Sequence, residues 1–252
     1  MLKEHFIQGK SLLHRLDPRG KVLVACFFSL VVALTHSPVV AGGGVVFGLL
    51  LVLIARLPWR PVGRRLALVN IFNLFLWLIL PLTYAGSHHW QWGALVFSYE
   101  GAALAALITL KANGIFFCFL ALVATSPVVT MAYALQRLGV PAKLVHLLLF
   151  TFRYIHVIEQ ERQRLVSAAV VRGFKPRVDL HTYRTYAYLV GMLLVKSFAR
   201  SQRVYEAMLC RGFHGRLYCM SEFSLTREDV VAVAIMLLSV IFLGGYEWLK
   251  IS

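Results

Sequence analysis

Two short segments of this chain repeat one pattern. Val170-Val171-Arg172-Gly173-Phe174 and Leu209-Cys210-Arg211-Gly212-Phe213 each place an apolar helix end, an arginine, a glycine and an aromatic residue in the same order, with the arginines 39 positions apart. Glycine suits the left-handed conformation that closes a helix, and a cation suits the negative end of the helix dipole. A single copy therefore says no more than that a helix stops. Two copies closing consecutive helices would present two guanidinium forks at helix tips, where a partner's carboxylates or carbonyls can accept paired hydrogen bonds. That duplication points to docking on a two-fold partner.

The other side chains with chemical potential do not converge. The sequence has no phosphate-cradling GxxxxGK[ST], no HExxH and no nucleophile elbow. His88 and His89 could attract nickel or cobalt through imidazole, and His36 shares their expected external side, but two adjacent histidines without further ligands do not make a site. No metal ligand is assigned. Cys26, Cys118, Cys210 and Cys219 are scattered without a CxxC pair and read as free thiols. Glu159, Glu161 and Glu206 lie among arginines and read as helix-surface ion pairs rather than a catalytic acid and base. Lys111 interrupts an apolar run, so it is either an intramembrane functional residue or a snorkelling one. Asn70 and Asn73 suit hydrogen bonding between packed helices.

The elements that must position these residues are membrane helices. Of the 252 residues 59% are hydrophobic and 15% charged, and the mean hydropathy is +0.72. Such a composition in long apolar runs indicates a polytopic all-α integral membrane protein. A span needs about 20 apolar residues. Five runs qualify: Lys21 to Thr35, Pro38 to Ala55, Leu66 to Tyr84, Gly101 to Ala124 and Asp229 to Leu249, the first two being short. The first run is read as a retained span rather than a cleaved signal, because a second apolar run follows at once.

Net charge is +15, which in a soluble protein would suggest nucleic acid; here the basic residues lie between apolar runs, so the lipid bilayer and no nucleic acid is the expected partner. The loop Arg56 to Arg65 holds Arg56, Arg60, Arg64 and Arg65, whereas Thr35 to Pro38 and Ala85 to Glu100 hold no lysine or arginine. The positive-inside rule then sets a cytoplasmic N-terminus in the cell (inner or plasma) membrane. Ser126 to Arg227 stays cytoplasmic or interfacial, and the apolar stretch 186–199 within it is read as a buried or interfacial helix. The organisation expected is an N-terminal membrane bundle (1–124), a coupling-helix region (125–227) and a last membrane helix (228–252).

Within the middle region Thr130 to Leu138 reads as a short amphipathic helix stopped by Gly139-Val140-Pro141. Leu144, Leu147, Leu148, Phe152, Ile155, Ile158 and Leu165 then recur at helical spacing up to Gly173, and a comparable helix follows Pro176 up to Gly212.

These features together resemble the transmembrane T component of energy-coupling-factor transporters, in the CbiQ-like branch associated with cobalt and nickel. The resemblance spans almost the whole chain. It rests on Leu13-His14-Arg15-Leu16-Asp17-Pro18-Arg19-Gly20-Lys21, on Leu135-Gln136-Arg137-Leu138-Gly139-Val140-Pro141, on Phe152-Arg153-Tyr154-Ile155 and on the paired Arg-Gly signatures. The family's signatures commonly read Ala-Arg-Gly at the ends of crossed coupling helices seated in two cytoplasmic ATPase subunits. The resemblance thus implies ATPase coupling for Arg172, Gly173, Arg211 and Gly212, with Val171 and Cys210 standing where alanine is usual. It further implies that this subunit catalyses nothing, binds no cofactor, leaves ATP and magnesium to the partner subunits, and contacts a membrane S component, CbiM- or NikM-like, that captures the substrate. Vitamin uptake by a related complex, or an autonomous secondary transporter or channel, are the competing readings.

Overall fold

In the computed structural model, residues 11, 13, 16–83, 89–92, 95–215 and 227–251 are described. His14, Arg15, His88, Arg216 and Cys219, and with them parts of the N-terminal motif and of the external loop expected above, lie outside these residues.

Asp17-Pro18 starts the first helix. Asp17 Oδ1 accepts from Arg19 N at 2.9 Å, and Pro18 occupies the first turn, where no amide donor is needed. Helix α1 runs Pro18–Leu34; α2, Pro38–Ile54; α3, Trp59–Thr83; α4, Tyr99–Leu122; α5, Val128–Arg137; α6, Ala142–Val171; α7, Leu180–Cys210; and α8, Arg227–Ile251. Between α3 and α4 the chain forms an antiparallel hairpin, β1 (His89–Trp92) and β2 (Leu95–Ser98), with His89 opposite Ser98 and Trp92 opposite Leu95. A loop was expected there, so the fold is helical with one small hairpin. The residues form two compact units, 2–138 with 223–252, and 139–222.

In the first unit α4 is central, with α2, α3 and α1 packed on it. The α2–α4 seam is built from glycine. A Cβ on Gly48 would meet Gly114 O and Phe117 Cβ, both at 2.9 Å, and one on Gly114 would meet Gly44 C at 3.2 Å. Gly44 and Gly48 are four residues apart, the small-xxx-small spacing that lets membrane helices approach backbone to backbone. Gly101 permits a similar approach of α4 to Leu80 O and Pro81 on α3. Phe28, Val32, Leu51, Val52, Phe117, Leu122 and Val240 fill the common core.

The outside of this unit is as apolar as its core. On α3, Leu68, Ile71, Phe72, Leu74 and Leu78 are 60–71% exposed. A water-soluble surface does not carry a patch of that kind, whereas hydrocarbon does not penalise it. Helices α3 and α4 are long and apolar enough to cross a membrane, and α2 and residues 229–245 of α8 form shorter apolar helices.

Lys21 is the unexpected member of the core. It lies on the first turns of α1, 1% exposed, and its Nζ donates to Ser126 Oγ at 3.0 Å. The buried carboxylates of Asp17 and Asp229 share its surroundings, and Asp17 N donates to Asp229 Oδ1 at 3.3 Å. A lone charge at such a site would be costly; here Lys21, Arg19 and the two carboxylates form one charged cluster, with Arg19 Nε 3.9 Å from Asp17 Oδ1. They fasten α1 to α8 and to the link between α4 and α5. Gly20 leaves room for Val233 of α8 beside them.

Candidate functional site

Helices α6 and α7 make up most of the second unit. Residues 150–158 of α6 and 197–208 of α7 line one cleft, while 165–172 and 181–196 line another, so the two helices run antiparallel. Between the clefts Glu161 of α6 receives a hydrogen bond from Lys196 Nζ of α7, with Arg164 Nη1 at 3.8 Å and Arg200 Nη2 at 3.9 Å. This contact marks the crossing. At 1.5 Å rise per residue, the tip of α6 extends roughly 15 Å beyond Glu161 and the tip of α7 roughly 21 Å beyond Lys196, in opposite directions. The tips therefore stand roughly 35 Å apart or less.

Both tips close with the same hydrogen bonds. At the first, Gly173 N donates to Val170 O at 2.9 Å and Phe174 N to Ala169 O at 3.0 Å; at the second, Gly212 N donates to Leu209 O at 2.9 Å and Phe213 N to Met208 O at 3.0 Å. This is the Schellman closure, with Arg172 and Arg211 at the cap and the glycines in the left-handed region at φ 86° and 77°. Each aromatic residue then folds back: Phe174 meets Tyr186 edge-on at 5.6 Å, and Phe213 lines the cleft beside Met208. Thr182 Oγ1 accepts from Arg177 N at 3.1 Å and orders the turn into α7. Arg172 and Arg211 are both exposed, and among the described residues neither pairs with a carboxylate. Two guanidinium forks are thus held on rigid helix ends with their donors open to a partner.

The remaining candidates lie apart from the two tips. Lys111 Nζ donates to Ala33 O at 2.9 Å, one of the carbonyls that the end of α1 leaves without an intrahelical donor. Asn73 Nδ2 donates to Asn70 Oδ1 at 3.4 Å within α3, so this pair bonds along its own helix. Arg162 grips Glu159 with two hydrogen bonds of 2.8 and 2.7 Å, and with help from Gln163 this pulls the carboxyl down to about 2. Glu161 is also held below the usual carboxylate range, first by Lys196. Glu206 makes no ion pair among the described residues. Cys26, Cys118 and Cys210 are free thiols, and among the described residues no three His, Cys, Asp or Glu side chains converge as metal ligands. Sequence reasoning missed Lys21 as a buried group and the Gly44, Gly48, Gly114 seam; the glycine spacing was a readable signal, whereas Lys21 resembled any basic residue flanking a span.

Residues 9–220 match the CbiQ family, described as cobalt transport protein. The chain belongs to that family. Similar proteins include the energy-coupling factor transporter transmembrane protein EcfT of Acidaminococcus fermentans, 26% identical over 256 residues that cover 96% of this chain and 95% of that protein. The EcfT proteins of Brevibacillus brevis and Limosilactobacillus fermentum are 24% and 28% identical, covering 96% and 94% of this chain and 96% and 94% of their own. Those relatives are named as transmembrane proteins of energy-coupling factor transporters, non-catalytic components of their complexes.

Proposed function

We propose that this chain is the coupling and scaffold subunit of an ATP-driven uptake complex, and that α6 and α7 are its coupling helices. The observation that carries this reading is the pair of identically closed Arg-Gly tips, Arg172-Gly173 and Arg211-Gly212, each exposed and held on a helix end. Two such tips suit two cytoplasmic ATPase subunits, one groove for each. ATP and magnesium then act on those subunits, and this chain transmits the resulting motion to a membrane S component that holds the substrate.

In this reading five helices, α1 to α4 and α8, cross the cell membrane, with the N-terminus and the 139–222 unit on the cytoplasmic side. Arginines 56, 60, 64 and 65 before and at the start of α3 support that orientation. The family's description, cobalt transport protein, supports cobalt as cargo, and the proposal extends to nickel and to a CbiM- or NikM-like S component. The EcfT relatives carry no substrate in their names, and a vitamin-binding S component is the alternative that identification of that subunit would reveal. An autonomous transporter would need a polar path through the bundle, and Lys111, its one candidate marker in the sequence, is engaged with the Ala33 carbonyl.

The test is Arg172→Glu/Arg211→Glu in a reconstituted complex. Charge reversal at both tips is expected to abolish ATPase binding and ATP-driven uptake while the membrane bundle melts as in the parent. Normal ATPase binding and uptake by the double variant would show that the tips do not couple.

A further inference from the structure

The cleft on the Arg211 side of the helix crossing combines apolar walls with a cationic edge. It encloses 380 Å³, and its walls are apolar: Phe150 and Ile158 from α6, Val204, Met208 and Phe213 from α7 and the segment after it. Arg200 lines the same cleft, 41% exposed at the side chain, at the edge where the helices cross. Its only described carboxylate neighbour, Glu161, is shared with Lys196 and Arg164, so three cations surround one anion. The mouth of the cleft is therefore electropositive. Tyr154 and Tyr205 line it too, residues that suit the boundary between hydrocarbon and water.

We propose that this cleft binds an anionic glycerophospholipid, with an acyl chain between α6 and α7 and the phosphate on Arg200. The apolar walls favour an acyl chain over free inorganic phosphate, and the surplus of cations favours an acidic headgroup over a zwitterionic one. The surrounding surface continues the same preference, since Leu144 and Leu147 on α6 and Leu194, Val195 and Phe198 on α7 are 56–67% exposed. Residues 139–215 also hold twelve lysines and arginines against four carboxylates. Because Met208 and Phe213 both line the cleft and together close the second tip, a bound lipid touches the residues that fix Arg211. The inference rests on the reading that α6 and α7 lie at the cytoplasmic membrane face.

The complete transporter complex containing the full chain, in nanodiscs of mixed phosphatidylcholine and phosphatidylglycerol, tests the proposal by native mass spectrometry of retained lipid. Val204→Trp fills the cleft, Arg200→Gln removes the phosphate partner, and Arg184→Gln removes an exposed arginine outside it. Parent and Arg184→Gln are expected to retain phosphatidylglycerol. Arg200→Gln should lower retention roughly fivefold, the worth of one basic side chain at an anionic surface, and Val204→Trp should abolish it. Equal retention in the parent and Arg200→Gln would overturn the proposal, as would equal retention of phosphatidylcholine. So would efficient photocrosslinking from position 208 to a protein subunit instead of lipid. ATPase recovery in the same samples reports on the coupling role separately, so failure of one reading is distinguishable from failure of the other.

Discussion

Replacing Gly48 by alanine and, separately, Gly42 by alanine places the same methyl group on the same helix in two environments. Alanine gains about 1 kcal/mol over glycine in a helix interior. At Gly42 the new Cβ meets nothing within 4 Å, so that gain should appear undiminished. At Gly48 it would sit 2.9 Å from Gly114 O, a backbone atom, and 2.9 Å from Phe117 Cβ, with Cys118 N at 3.3 Å. Neither close neighbour is the flexible end of a side chain, so α2 and α4 must separate. Overpacking of this kind costs about 1–3 kcal/mol, which offsets the propensity gain and leaves Gly48→Ala neutral to destabilised by about 2 kcal/mol. Gly48→Leu should be worse. Steric-trap or detergent unfolding of the purified chain reads the difference. Equal stability of Gly42→Ala and Gly48→Ala, or a Gly48→Leu variant as stable as the parent, would refute the close-packed seam.

Three further outcomes follow from named contacts. Lys21→Met removes a buried cation near Asp17 and Asp229 together with its hydrogen bond to Ser126, while Arg19 stays 3.9 Å from Asp17, and should cost about 1–3 kcal/mol; adding Asp229→Asn should recover part of the loss in the same unfolding assay. Gly173→Ala and Gly212→Ala force a Cβ into the left-handed region and should each cost about 1–2 kcal/mol, seen as faster amide hydrogen exchange at the affected tip, with the other tip unchanged. Acid should loosen the crossing of α6 and α7: the Glu161 carboxyl is depressed in the fold, so its contribution is fully present above the ordinary value of 4.5 and is lost as pH falls through the lower folded value. Hydrogen exchange around 158–164 should rise in that acid window, and Lys196→Gln should narrow the pH dependence.

The apolar runs were legible as helices, and each of the five lies largely within one. Their ends were less legible. Helix α3 starts at Trp59, ahead of the expected Leu66, because Arg60, Arg64 and Arg65 continue the backbone ladder while remaining exposed. Hydrophobicity reports where lipid begins, whereas backbone hydrogen bonding decides where the helix begins. The hairpin was overlooked although His-Trp-Gln-Trp and Leu-Val-Phe-Ser are β-forming segments separated by Gly93-Ala94. The helix tips were readable because capping is local and glycine signals it. Lys21 was not, since Ser126 and Asp229 lie 105 and 208 positions further along and only the tertiary fold brings them together.

The central claim is that this chain couples ATPase subunits to a membrane substrate-binding protein through two helix tips. Affinity purification from the native membrane in mild detergent, with mass spectrometry of stoichiometric partners, tests it most directly when parent and Arg172→Glu/Arg211→Glu chains are compared. The parent should bring down ATPase subunits and a small hydrophobic membrane protein, and the double variant should retain that membrane protein but lose the ATPases. A parent chain recovered alone, under conditions that preserve other membrane complexes, would contradict the account.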